Sequence, residues 1–361
     1  MQGNILRRLE EDYRSLLAEH GLKEYDLDRF QPESLRRAHN RVVEQERKHN
    51  SDCDVAEMES IYTDMETDLK AGLSLFRRLV QVFSEELETE IVRRWPAFSK
   101  PVLVREFPTG EFNAAACRVP SGILILLNEG LFMLIYHVLM ILGYSFSMTK
   151  EDHVRLGDAE IDDKLAFVAL HYLDTGNALF ASQVLPLGGP KGGLVAEVRR
   201  ECEKFTMAHE YGHAIAGHLD RGNGGRIESS AGYLKVIRKS WNEEFEADLI
   251  ALRLIMSDIE DLNDESAIRR SLRIKISGVF FFFALANFLD KVDSARRGAP
   301  QDFSGSVTHP PPLDRLNRLM NVLGRDHEPD FVYSSGLFNA LLEPRGERIA
   351  DAIRRHSARS L

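Results

Sequence analysis

Cysteine is scarce in this chain. There are three, Cys53, Cys117 and Cys202, odd in number and far apart. No two of them form a C-x-x-C pair. That usage suits a reducing compartment, argues against a disulfide framework and supplies no thiolate metal site. Basic charge is also in deficit. With 46 Lys and Arg against 56 Asp and Glu, the net charge is −10. A general nucleic-acid binder needs a basic surface for phosphate, so no nucleic-acid partner is expected. Internal repeats are missing. The Gly-rich stretch 187–193 lacks the G-x-x-x-x-G-K-[ST] order of a phosphate loop. Residues 1–11 carry Arg7 and Arg8 but no apolar run behind them, which is not the pattern of a secretory signal. What the chain does have is ordinary for a globular protein: 43% hydrophobic and 28% charged residues over 361 positions. That composition can build one large unit or two smaller ones around a sizeable core.

Long apolar runs are few. Residues 130–148 contain no Lys, Arg, Asp or Glu over 19 positions, close to the roughly 20 needed to span a bilayer. The run also holds Tyr136, His137, Ser145 and Ser147, and no basic cluster flanks it. Residues 279–289 are too short to span alone. Both runs are expected to be buried core helices and the protein cytoplasmic, with membrane association as the alternative.

Residues 1–96 read as a helical accessory region. Segments 7–18, 33–48 and 57–90 place apolar residues at three- and four-residue spacing among charges. Trp95-Pro96 closes the last segment, because proline cannot continue a helix interior. Residues 101–107 and 122–127 read as short strands. Helices are expected over 131–146, over 160–183 with a break at 174–177 as an alternative, over 194–219, and from about 234 to 256. A flexible connector is expected at 187–193 and a loop at 220–231. The fold class predicted is α+β and predominantly helical, with a small sheet and two active-site helices. Boundaries at 96/97 and 340/341 divide it into accessory region, catalytic domain and C-terminal helical tail.

Within the third of these helices stands His209-Glu210-Tyr211-Gly212-His213. Histidines at i and i+4 project from one helix face, so one Zn²⁺ can take a nitrogen from each. Glu210 lies beside them. Zinc lowers the pKa of a bound water towards neutrality, and Glu210 would accept its proton and deliver it to the leaving amine. The competing reading, a surface histidine pair, is disfavoured by Ala208, Gly212, Ala214, Ala216 and Gly217. These small residues mark a helix that packs closely in an interior, where histidines need partners. On the following helix Glu244 and Asp248 also stand at i and i+4, beside an apolar stripe of Trp241, Phe245, Leu249, Leu252 and Met256. Two carboxylates one turn apart repel, and a cation between the helices relieves that. Glu244 is the expected third ligand; Asp248 would accept a hydrogen bond from His209 or His213 and fix its tautomer. Glu243, Glu246 and His218 are weaker candidates. The two glutamates would rotate the stripe off the core. His218 turns away from the ligand face and is one residue short of the metzincin spacing.

The pair of motifs, HEYGH followed by Glu244-Phe-Glu-Ala-Asp248, resembles the gluzincin arrangement of the Ste-type CAAX-prenyl-protease and HtpX family. Asn113-Ala-Ala-Ala116, Gly122-Ile-Leu-Ile-Leu and Gly130-Leu-Phe are similar to that family's strand and helix-start segments. Thr308-His309-Pro310 with Arg315 resembles its T-H-P…R segment. The resemblance covers about residues 100–320. It implies a zincin-like metalloendopeptidase acting on a protein or peptide substrate, with Zn²⁺ held by His209, His213 and Glu244 and with Glu210 catalytic. It further implies His309 as a transition-state stabiliser or gate, and Arg315 as a structural or oxyanion partner. About 90 residues lie between Asn113 and His209, more than the compact family pattern has, and residues 1–95 match no segment of it. No prenylated substrate follows. A zinc-bound regulatory or interaction module with little peptidase activity is the alternative from another class, and a membrane-attached quality-control protease using the 130–148 helix is a third.

Overall fold

The structure, a computed structural model, describes residues 2–19, 75–107, 114–145, 156–175, 187, 189–220, 224–229, 232–237, 240–298, 310–323 and 328–359, together with Asn40 and Thr63. It is predominantly helical with a small mixed three-stranded sheet. In chain order the elements are α1 (Gln2–Glu19), α2 (Leu75–Arg94), β1 (Val102–Glu106), β2 (Ala114–Val119), β3 (Gly122–Leu127), α3 (Glu129–Gly143), α4 (Asp158–Thr175) and α5 (Gly189–Ile215). A 3-10 turn at His218–Asp220 follows, then β4 (Gly224–Ser229), β5 (Gly232–Ile237) and α6 (Trp241–Ile255). After a second 3-10 turn come α7 (Glu265–Arg296), α8 (Pro312–Leu323) and α9 (Glu328–Arg359).

The sheet has the order β1-β3-β2, with β3 parallel to β1 and antiparallel to β2. Strand β3 reads Gly-Ile-Leu-Ile-Leu-Leu and is buried on both faces, as a central strand covered from both sides should be. One face meets α1 through Leu9, Tyr13 and Leu17. The other belongs to the main core with α2, α3 and α5. The hydroxyl of Tyr13 donates to the Glu106 carbonyl at 2.8 Å, tying α1 to the sheet.

Helix α5 is the axis of the molecule. From 201 to 214 every residue is buried, and α2, α3, α6 and α7 all pack against it. So many polar residues can be buried there because they are paired. Glu203 accepts from Arg199 at 2.6 Å, Lys204 meets Glu86 at 2.9 Å, and Tyr211 donates to Glu88 at 2.9 Å. The stretch 279–289 lies inside α7, which faces α5, α8 and α9.

Several sequence expectations are corrected. Residues 189–193 form the first turns of α5 instead of a flexible connector. Pro190 suits a first turn, where its missing N–H is no loss. Gly192 lies where a Cβ would come 2.2 Å from the Leu187 carbonyl oxygen. Part of the expected 220–231 loop is a hairpin, β4 paired with β5, and residues 232–237 are strand, where the sequence reading started a helix at 234. That helix begins at Trp241, after a capping box in which Ser240 caps the Glu243 N–H and Glu243 reaches back to the Ser240 N–H. Helix α4 covers Asp158–Thr175, and residues 176–183 of the expected helix lie outside the described residues. Helix α9 spans Glu328–Arg359 and so includes the expected C-terminal helical segment from 341.

The apolar run at 130 is a helix of 15 residues, Glu129–Gly143, buried along most of its length. Burial, and then the nearby Arg199 charge, push His137 down to about 4, so it is a neutral core histidine. Among the described residues one helix, α7, is long and apolar enough to cross a membrane, and 83% of its most apolar window is buried inside the protein.

Candidate metal centre

The site lies where α5 and α6 come closest. Gly212 sets that distance: a Cβ there would stand 2.6 Å from the Ala247 carbonyl oxygen and 2.9 Å from its Cα. Only two hydrogen atoms fit in that space, so the two helix backbones are nearly in contact. Gly212 precedes His213, and Ala247 precedes Asp248, so the same close approach brings the ligand faces together. Trp241 is 45% exposed, whereas Glu244, Ala247, Asp248 and Ala251 are fully buried. The carboxylates therefore occupy the centre of the buried face of α6, and the expected apolar stripe lies beside them, with Leu252 buried, Leu249 and Met256 partly buried against the core and Trp241 exposed. Phe245 instead lies under the guanidinium of Arg318, 4.2 Å away.

His209, His213 and Glu244 form a buried cluster that could hold a metal ion, with ligand atoms within 4.8 Å of one another. The Nε2 atoms of the two histidines are 3.1 Å apart. Glu244 straddles them, with Oε2 3.4 Å from His209 Nε2 and Oε1 3.4 Å from His213 Nε2. Ligands about 2.0–2.1 Å from a tetrahedral ion stand about 3.3–3.4 Å from each other, so these spacings fit such an ion.

The outer ring nitrogens decide which way the lone pairs point. His209 Nδ1 lies 2.8 Å from Asp248 Oδ1. An ionised carboxylate only accepts, so Nδ1 carries a hydrogen, and it is Nε2 that can give up its proton and turn a lone pair to the centre. Arg315 Nη2, 3.4 Å from the same nitrogen, is a donor too and is engaged elsewhere. Its Nε and Nη2 donate to both Asp248 oxygens, at 2.8 and 2.6 Å. Its Nη1 lies 3.6 Å from Glu244 Oε2. Burial pushes Asp248 up, but Arg315 and then His209 outweigh it and hold the carboxyl below its usual range. Burial likewise opposes the charged form of His209, yet the Asp248 carboxylate prevails and the imidazole is pushed up to about 9. Burial also opposes the Arg315 charge, and Asp248 again prevails, raising its pKa. In this centre of two Nε2 atoms and a carboxylate, a positive charge is at home: a proton on His209 or a metal ion in its place.

Helix α5 carries Glu210 next to His209, 4% exposed. The structure thus brings together His209, Glu210, His213, Glu244, Asp248 and Arg315. Of the two histidines offered to Asp248 by the sequence, His209 is the partner. Arg315 is tied to Asp248, which makes it a structural neighbour of the ligands. His309 and Asn113 lie outside the described residues. Cys117 and Cys202 form no disulfide among the described residues, and Cys53 lies outside them.

Behind His213 the structure places two residues to which the sequence gave no role beyond unsuccessful ligand. His213 Nδ1 is 2.9 Å from His218 Nδ1, and His218 Nε2 is 3.1 Å from Glu246 Oε2. The signal that could have found them is Gly217, a glycine two residues past the end of α5. Its φ of +73° turns the chain back, so that His218 returns beneath the helix end. Asp220 then anchors that turn through ion pairs to Lys100 and Arg118.

Compared with protein-family models, curated proteins and solved structures, the chain has no match.

Proposed function

We propose that this chain is a zinc-dependent endopeptidase of gluzincin type with a zincin-like catalytic domain, as its resemblance to the Ste-type and HtpX family implies. One observation carries the reading: two imidazole Nε2 atoms and a buried carboxylate converge at tetrahedral spacing, with Glu210 on the adjoining helix position. Two histidines and a glutamate, with the fourth position left for water or substrate, are the ligand set of hydrolytic zinc. Zinc bound there supplies a Lewis acid that polarises the scissile carbonyl and makes a water more acidic. Glu210 takes the proton of that water on its carboxylate and hands it to the leaving amine nitrogen. Asp248 keeps the His209 proton on Nδ1, and Arg315 keeps Asp248 ionised. His309 is the group we assign to transition-state stabilisation or gating. The substrate class is protein or peptide.

Membrane attachment of the same enzyme has one observation in its favour, the length and composition of α7; its burial favours a cytoplasmic protein. Partitioning of the chain into a detergent-free extract decides between them. The activity is tested with Glu210→Gln and mass-spectrometric readout of cleaved peptides. The variant is expected to keep its zinc and lose about 10²–10⁴-fold in rate. Equal cleavage by variant and wild type would remove the peptidase reading.

A further inference from the structure

We propose that His218 and Glu246 form a positioning relay for the metal ligand His213, an inference that rests on the metal-site reading above. The proton positions follow from the outside inwards. Glu246 is 57% exposed, and an ionised carboxylate in contact with water only accepts hydrogen bonds. His218 Nε2, 3.1 Å from it, is therefore the donor. A neutral imidazole with its hydrogen on Nε2 has an acceptor at Nδ1, and that atom faces His213 Nδ1 at 2.9 Å. His213 Nδ1 must then be the donor. Its hydrogen sits on Nδ1, and the Nε2 lone pair is left pointing at His209 and Glu244. With both rings neutral, this is the one proton arrangement that satisfies both contacts.

Each histidine ligand thus has its own carboxylate. His209 reaches Asp248 directly; His213 reaches Glu246 through His218, and both histidines of that relay are fully buried. The same geometry removes His218 as a ligand, because it contacts the ring nitrogen of His213 that faces away from the centre. A hydrogen-bonded partner on the far nitrogen fixes the ring and raises its basicity as a ligand; loss of such partners typically weakens metal binding about 10–100-fold.

The test is the zinc Kd of the full chain, by competition with a chromophoric chelator, alongside thermal unfolding of the metal-free protein. His218→Phe keeps a ring of similar size and removes both nitrogens, and should weaken zinc binding about 10–100-fold. His218→Asn keeps an acceptor oxygen near the Nδ1 position and should recover most of that loss. Glu246→Gln, at an exposed position that does not endanger folding, should lose affinity at the lower end of the same range. If His218→Phe does not fold, Glu246→Gln and His218→Asn decide. A merely structural role would lower the unfolding temperature and leave the Kd alone. Wild-type affinity in the folded His218→Phe and Glu246→Gln variants would overturn the relay. Should Glu244→Ala bind zinc as the wild type does, the reading of the site itself falls, and the relay with it.

Discussion

Asp248 is the residue through which charge is balanced in the site. It is fully buried and touches both His209 and the guanidinium of Arg315. Breaking a buried ion pair from one side leaves an uncompensated charge, which costs about 3–5 kcal/mol. Arg315→Met should therefore destabilise the metal-free chain by about that amount in urea unfolding. The double variant with Asp248→Asn should recover much of it, because no lone charge remains. A shift for Arg315→Met no larger than that of an ordinary surface substitution would contradict the pairing. The pH dependence follows from His209, pushed up to about 9 in the fold against about 6.5 in an unfolded chain. The folded state then binds this proton more tightly. Its contribution to metal-free stability is complete below about pH 6.5 and is lost as pH rises through about 9. Metal needs Nε2 free of the proton, so affinity has the opposite slope and rises over the same window. Unfolding temperatures with and without zinc should therefore diverge as pH is raised across it; a constant gap would contradict the His209–Asp248 coupling.

At the scale of elements, the site is a consequence of how closely α5 and α6 approach. Gly212→Ala would put a methyl group against the Ala247 backbone. It is expected to destabilise the fold by about 1–3 kcal/mol, seen in thermal unfolding, and to weaken zinc binding because the ligand faces separate. Unchanged values for both would show that the helices tolerate a wider spacing. Sequence patterning made part of this legible. Histidines at i and i+4 and carboxylates at the same spacing identified both faces, since helical periodicity needs no tertiary information. Strands 101–107 and 122–127 were legible from their β-branched and aliphatic runs. The start of α6 was not, because residues 234–237 continue an apolar pattern that fits strand and helix alike over so short a stretch. Only the Ser240–Glu243 capping box separates them. How much of the apolar stripe reaches the core was not legible, for a related reason: Leu252 is buried while Trp241 is exposed. Periodicity shows that a face exists; the identity of the buried face depends on Gly212 accepting Ala247, which is a property of two helices together. The His218–Glu246 contact is equally non-local, made by a chain reversal at Gly217.

Over the whole molecule, α5 passes through the main core with its ligand-bearing end held on several sides. Helix α2 reaches it through Ser84 and Glu88, which bond the Tyr211 hydroxyl one residue from Glu210. Helix α8 reaches the centre through Arg315, and Lys100, just before β1, and Arg118 of β2 brace the turn after α5 through Asp220. Helix α2 belongs to the expected accessory region and still packs directly on the site helices. Such a frame restricts ligand movement before any ion arrives, which lowers the cost of assembling the site. The central claim is that His209, His213 and Glu244 hold zinc, and elemental analysis of the purified chain beside Glu244→Ala tests it most directly. The wild type should carry about one zinc per chain and the folded variant almost none. Equal metal content in the two proteins would contradict the assignment of Glu244 and the centre built around it.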